Sequence, residues 1–356
     1  TNTTSTFTLS ATKGGTAITT TAGTTTGLTF GAYATLTFDN NVSVSGGIVM
    51  LFPYLFAYGN NGLIRSCSAG NTQDWVATDC LEVNVATGKI VQGLPVRGGS
   101  NAPSGLFWSL DSVIRVSFIG GTGTPPQYWR ADVISSQSSI MSSQSVIEYD
   151  GIYYWCGVDR FMMYNGVVKE IPNNMNQNYF FDNLNYNQRQ KVWAQKVPRY
   201  GEIWWCYPRG NATECTHAVI YNVRENTWYD TALPNSGRSE GKFVTVYEYP
   251  ITAGIDPVSG TYKLWQMEYG LDEINGTQIN SIPSFFETAD ISFVADPSQP
   301  RNRSMRCTII EPDFVQSGSM TVQVTGRANA RAPEVLSTIV TFPETAETPH
   351  EQIVML

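Results

Sequence analysis

Two histidines, scattered carboxylates and six cysteines are the residues of this 356-residue chain whose side chains could do chemistry. His217 sits in Cys215-Thr216-His217-Ala218 at a strand entrance and reads as structural, and His350 lies in a Pro- and Glu-containing stretch near the end. Cys67, Cys80, Cys156, Cys206, Cys215 and Cys307 include no Cys-x2-Cys pair, which argues against zinc. Cys156 and Cys206 follow Trp in apolar runs and read as small buried hydrophobes. A Cys206 to Cys215 disulfide across one hairpin stays open. Glu148, Asp150, Asp159 and Asp182 are the carboxylates from which a glycan-cleaving pair would be drawn. Yet Asp150 is accounted for by a turn, Glu148 alternates outward on its strand, and Asp159 precedes Arg160 at another turn. The Ser-x-Asp-x-Gly-x-Thr-Trp box, a Walker loop and a dinucleotide fingerprint are all missing. The sequence therefore predicts no catalytic centre, cofactor or metal site, and Arg301-Asn302-Arg303-Ser304-Met305-Arg306 reads as a solvated loop.

The elements that would position such residues are strands. Charged residues make up only 15% of the chain while Thr, Gly, Asn, Tyr and Trp are plentiful, a composition that favours strands and turns. The longest apolar run, Gly47 to Tyr58, is interrupted by Pro53 and is too short to span a bilayer, so a soluble chain is expected. Thr-Asn-Thr-Thr-Ser at the start lacks the features of a signal peptide. With no initiator Met, either processing or a preceding segment is expected. Net charge is −8, the wrong sign for gripping phosphate backbones.

Ser145 to Pro172 organises the chain. Short β-rich runs are punctuated by Asp150-Gly151 and Asn165-Gly166, dipeptides that supply the positive φ of a tight hairpin. An aromatic strand after a turn recurs at Pro53-Tyr54-Leu55-Phe56, Gly105-Leu106-Phe107-Trp108, Gly151-Ile152-Tyr153-Tyr154-Trp155, Gly201-Glu202-Ile203-Trp204-Trp205 and Gly260-Thr261-Tyr262-Lys263-Leu264-Trp265. The starting positions 53, 105, 151, 201 and 260 are separated by 52, 46, 50 and 59 residues. That recurrence predicts an all-β, β-propeller-like array of four-stranded blades. Trp108, Tyr154, Trp155, Trp204, Trp205, Trp228 and Trp265 are the expected blade anchors. Alternation sends one of Trp204 and Trp205 inward and the other out, where it could stack on a sugar.

Ala218 to Asp230, with Tyr221-Asn222 and Thr227-Trp228, resembles the last two strands of a kelch-type blade, whose Trp covers the seam to its neighbour. Asn178 to Val192 is the one segment of helical character. Residues 1–40 alternate Thr with apolar residues as a β segment, 41–278 form the blades, and 279–356 form a β-rich appendage or a blade with an insertion. Strands are expected there at Phe285-Phe286-Glu287-Thr288, Met305 to Ile310 and Met320 to Arg327.

Ser135 to Ile140, Tyr149 to Phe161, Asn183-Leu184-Asn185, Gly201 to Pro208 and Tyr221 to Arg224 together resemble the tail hub or nozzle proteins of short-tailed bacteriophages, also called packaged-DNA stabilisation proteins. The resemblance covers roughly residues 105 to 275. It implies a propeller subunit in the virion that assembles with itself as a six-fold ring beneath portal and adaptor. Such a ring holds the packaged DNA and lets it pass without sequence-specific binding. It brings no active-site residue, and only five blades are countable here where the family's fuller members have six or seven. A receptor- or glycan-binding propeller is the competing reading, and a glycan hydrolase the third.

Overall fold

The computed structural model describes residues 44–96, 102–172, 175–234, 237–256, 259–288, 318–329 and 331–343. The expected strands at 1–40 and 305–310 and the arginines from 301 to 306 lie outside them. The chain divides into two compact units, Thr1–Ser281 and Ile282–Leu356.

The first unit is a succession of antiparallel meanders in which hydrogen-bonding order follows chain order. Sheet I is β1 (Gly47–Leu51), β2 (Tyr54–Tyr58), β3 (Leu63–Ser66) and β4 (Glu82–Asn84). Sheet II is β5 (Ile90–Pro95), β6 (Ser104–Ser109), β7 (Val113–Thr122) and β8 (Gln127–Ser135). Sheet III is β9 (Val146–Tyr149), β10 (Ile152–Cys156), β11 (Phe161–Tyr164) and β12 (Val168–Glu170). Sheet IV is β13 (Trp193–Val197), β14 (Glu202–Tyr207), β15 (His217–Asn222) and β16 (Thr227–Ala232). Sheet V has three strands, β17 (Arg238–Lys242), β18 (Ile251–Ile255) and β19 (Tyr262–Gln266), and a hairpin of β20 (Asp272–Asn275) and β21 (Gln278–Ser281) follows. The fold is thus an all-β, propeller-like array of four-stranded blades.

The second strands begin at Tyr54, Ser104, Ile152, Glu202 and Ile251, so that successive separations are 50, 48, 50 and 49 residues. This regularity corrects the expectation at its fifth member. Tyr262 opens a third strand, while the true second strand, Ile-Thr-Ala-Gly-Ile, has no aromatic residue to announce it.

Consecutive sheets stack face to face, and in sheets I to IV the second strands are apolar on both sides. Phe107 faces sheet I, 5.9 Å from Phe56 and 5.6 Å from Tyr58, while its neighbour Trp108 faces sheet III, 5.7 Å from Trp155. Tyr154 of sheet III turns the other way, toward Tyr221 of sheet IV at 6.2 Å. Polar ties cross the same seams. Tyr58 Oη donates to Gln92 Oε1 at 3.1 Å, Tyr153 Oη to the Pro95 carbonyl at 2.5 Å, and Trp205 Nε1 to the Ser145 carbonyl at 2.9 Å. First strands also meet, β1 with β5, β9 with β13, and β13 with β17.

Between sheets III and IV lies the expected helical segment, beginning earlier than its composition suggests. It is α1 (Met175–Asn183) followed by a 3-10 turn, Tyr186–Lys191, capped by the Asn185 side chain. Phe180 of α1 is fully buried and packs 4.6 Å from Tyr207.

In the second unit β22 (Met320–Val322) pairs with β25 (Val340–Phe342), and β23 (Thr325–Gly326) with β24 (Val335–Leu336). The strand expected at Phe285 to Thr288 does not form. Those residues are fully solvent-facing, Phe285 at 92% and Phe286 at 85%, and find no pairing partner among the described residues.

Candidate functional site

The expected anchors occupy the seams. Trp108, Trp155 and Trp205 have no exposed surface, and Tyr154, Trp204 and Trp265 are also buried. Trp204 corrects the expectation of one outward-facing indole: it is only 4% exposed beside Trp205 at 0%. Simple alternation fails because sheet IV is covered on both faces. Trp205 joins Phe161 of sheet III at 4.8 Å, whereas Trp204 belongs to a second cluster with Trp193, Cys206 and Ile220 on the opposite side. Trp228 is half-buried and bridges within its sheet and across it, 4.7 Å from Tyr221 and 5.1 Å from Phe161. That is the seam-covering place expected of it. At the far seam Trp265 carries Arg238 over its ring at 4.4 Å, and burial lowers the Arg238 guanidinium to about 10.

Turn residues take the backbone their identities suggest. Asp150 and Gly151 both lie in the left-handed region, φ 51° and 78°, and Gly166 has φ 109°. In the second turn Asn165 donates its amide to the Val167 carbonyl. Glu148 further secures the first turn by accepting from the Gly151 amide at 2.8 Å.

Glu148 is a second correction. It does not point freely outward but crosses the seam to Lys196 of β13, 3.3 Å from Nζ, and Lys196 also donates to the Glu148 carbonyl at 2.9 Å. Asp159 is held in a two-point pair with Arg160, whose hydrogen bond keeps its carboxyl below the usual range. Asp182 stands on the exposed side of α1. Each of the four carboxylates thus has a local structural setting. Cys206 and Cys215 are both free and buried, so the disulfide does not form, and burial pushes both thiols up. Among the described residues no three His, Cys, Asp or Glu side chains group as a metal would require, and no helix is long and apolar enough to cross a membrane.

The folded chain also assembles a group that sequence reading missed, at the rim where sheets IV and V adjoin. Glu202 opens β14 and is only 8% exposed, with Oε2 accepting from Trp204 Nε1 at 2.8 Å and Oε1 accepting from the Tyr229 hydroxyl. Glu268, just past β19, adopts φ 59°, a left-handed backbone that costs a non-glycine residue energy. Burial raises the Glu268 carboxyl and the nearby Glu202 charge raises it further. The only sequence trace is that Tyr200-Gly201-Glu202 and Glu268-Tyr269-Gly270 share the same three residue types in different order, and they lie in different repeats.

No family model matches the chain, and no curated protein matches it in sequence. Among solved structures it is similar to Sqt1 of Saccharomyces cerevisiae, at 9% identity and TM-score 0.38 over 85% of this chain and 69% of that one. An overlap of that size carries no argument about function.

Proposed function

We propose that this chain is a structural virion protein of a short-tailed phage tail. Copies assemble as a six-fold ring below portal and adaptor, retain the packaged DNA and line the channel through which it leaves. One observation carries the reading: five consecutive sheets have second strands 48 to 50 residues apart, and the first four of them use both faces of their central strands for packing. Stacked sheets of this kind make a stiff wall, because closely packed interiors deform little. The net charge of −8 supports it from another side, since a like-charged wall lets duplex DNA slide without adhering. A ring needs only one head-to-tail interface repeated until it closes.

Electron microscopy of the purified protein, alone and with portal–adaptor complexes, tests the reading. The expected image is a ring with a central opening that docks on the adaptor. A monomer that neither forms rings nor joins the tail overturns it.

A further inference from the structure

The rim between sheets IV and V presents more than the packing uses. The turn between β13 and β14 carries Arg199 and Tyr200, the loop between β17 and β18 carries Glu248 and Tyr249, and Tyr269 follows Glu268. Tyr249 and Tyr269 meet edge to face, with centroids 5.4 Å apart at 87°. The Arg199 guanidinium lies 5.6 Å from the Tyr200 ring and 5.9 Å from that of Tyr249, and its Nη1 is 3.3 Å from Glu248 Oε1. Arg224 fixes the turn from below by donating to the Pro198 carbonyl at 2.8 Å and to that of Arg199 at 3.2 Å. Yet Tyr200 stays 40% exposed and Tyr269 59%. Tyr200 and Tyr269 are thus open to solvent on either side of the half-buried Tyr249, with charged hydrogen-bonding groups between them.

We propose that Arg199, Tyr200, Tyr249 and Tyr269, together with the adjoining Glu202 and Glu268, form a binding site for a neutral glycan. Tyrosine faces accept the C–H side of a sugar ring, burying apolar surface at little entropic cost because the rings are already braced. The exposed Glu248 carboxylate and Arg199 guanidinium at the edge match vicinal hydroxyls, which donate to one and accept from the other, while the buried Glu202 holds Tyr229 and Trp204 behind them. Glu202, Glu248 and Glu268 outnumber Arg199 and Arg224, a balance that disfavours phosphates and sugar acids and with them nucleic acid and sialylated or uronic-acid glycans. The strained Glu268 backbone is the kind of local cost that functional sites retain. The site stands independently of the ring reading, since a wall subunit can carry it or lack it.

The test is an array bearing neutral hexose and N-acetylhexosamine oligosaccharides beside sialylated and uronic-acid ones, probed with the full chain. Retention on at least one neutral glycan is expected, weakened about tenfold or more in Y200A and in Y269A, about 1.4 kcal/mol each. Both side chains are exposed, so both variants are expected to melt at the parent's temperature. Absence of retention on every neutral glycan, retention on acidic glycans alone, or unchanged retention by both variants overturns the proposal.

Discussion

His217 shows how a single side chain can be fixed in one protonation state. Its Nε2 lies 3.1 Å from Arg209 Nη1, a group that can only donate, so that nitrogen accepts and the neutral ring carries its proton on Nδ1, 3.0 Å from Thr216 Oγ1. Burial, and then the Arg209 charge, lower its pKa below the ordinary 6.5. In acid the unfolded chain therefore takes up the proton before the folded one does. The stability this contributes is whole above 6.5 and is lost as pH falls through the folded value. Glu240 and Glu268 act in the opposite sense, since their raised carboxyls hold a proton in the fold at higher pH than when unfolded. Comparing H217Q with the parent cancels those terms. Urea unfolding at pH 7.5 and 5.5 is expected to show a smaller loss on acidification in the variant.

At the scale of elements, the seams decide what can be changed. Gly241 of β17 faces sheet IV, and a Cβ there would fall 2.6 Å from Trp193 Cη2, 2.7 Å from Thr252 Cγ2 and 2.8 Å from Gln195 Oε1. All three neighbours are buried, so none can swing into solvent. G241V is expected to lose about 1–3 kcal/mol through overpacking, read as a lower midpoint in chemical denaturation. The same seams explain what the sequence made legible. Doubled aromatics such as Tyr153-Tyr154-Trp155 and Trp204-Trp205 mark strands covered on both faces, where alternation between core and solvent breaks down. The strands and turns could be read from them, but assigning one indole to solvent could not succeed while sheet V was invisible as a neighbour. Sheet V itself was blurred because β18 packs with Thr, Ala and Gly where the others use rings. The rim pairing of Glu202 with Glu268 had no local pattern, since only stacking brings those two repeats together.

For the whole molecule, charge decides the relation to DNA. With 30 acidic against 22 basic side chains, few phosphates could be neutralised, and counterion release would add little affinity. Duplex DNA is expected to run unretarded by the protein in gel shift even at about 50 mM salt, where electrostatic binding is strong. A shift that vanishes with added salt would instead reveal a phosphate-gripping surface.

The even spacing of the second strands bears also on how the chain is made. Each described seam joins a sheet to the one before it, so no seam has to wait for a distant part of the chain. At about 5–20 residues per second, a ribosome delivers one such unit roughly every 2.5–10 s. Hairpins form in about 1–10 μs, so each meander can close and dock on its predecessor long before the next emerges. The molecule can thus be laid down like courses of brick, in the order in which its message is read.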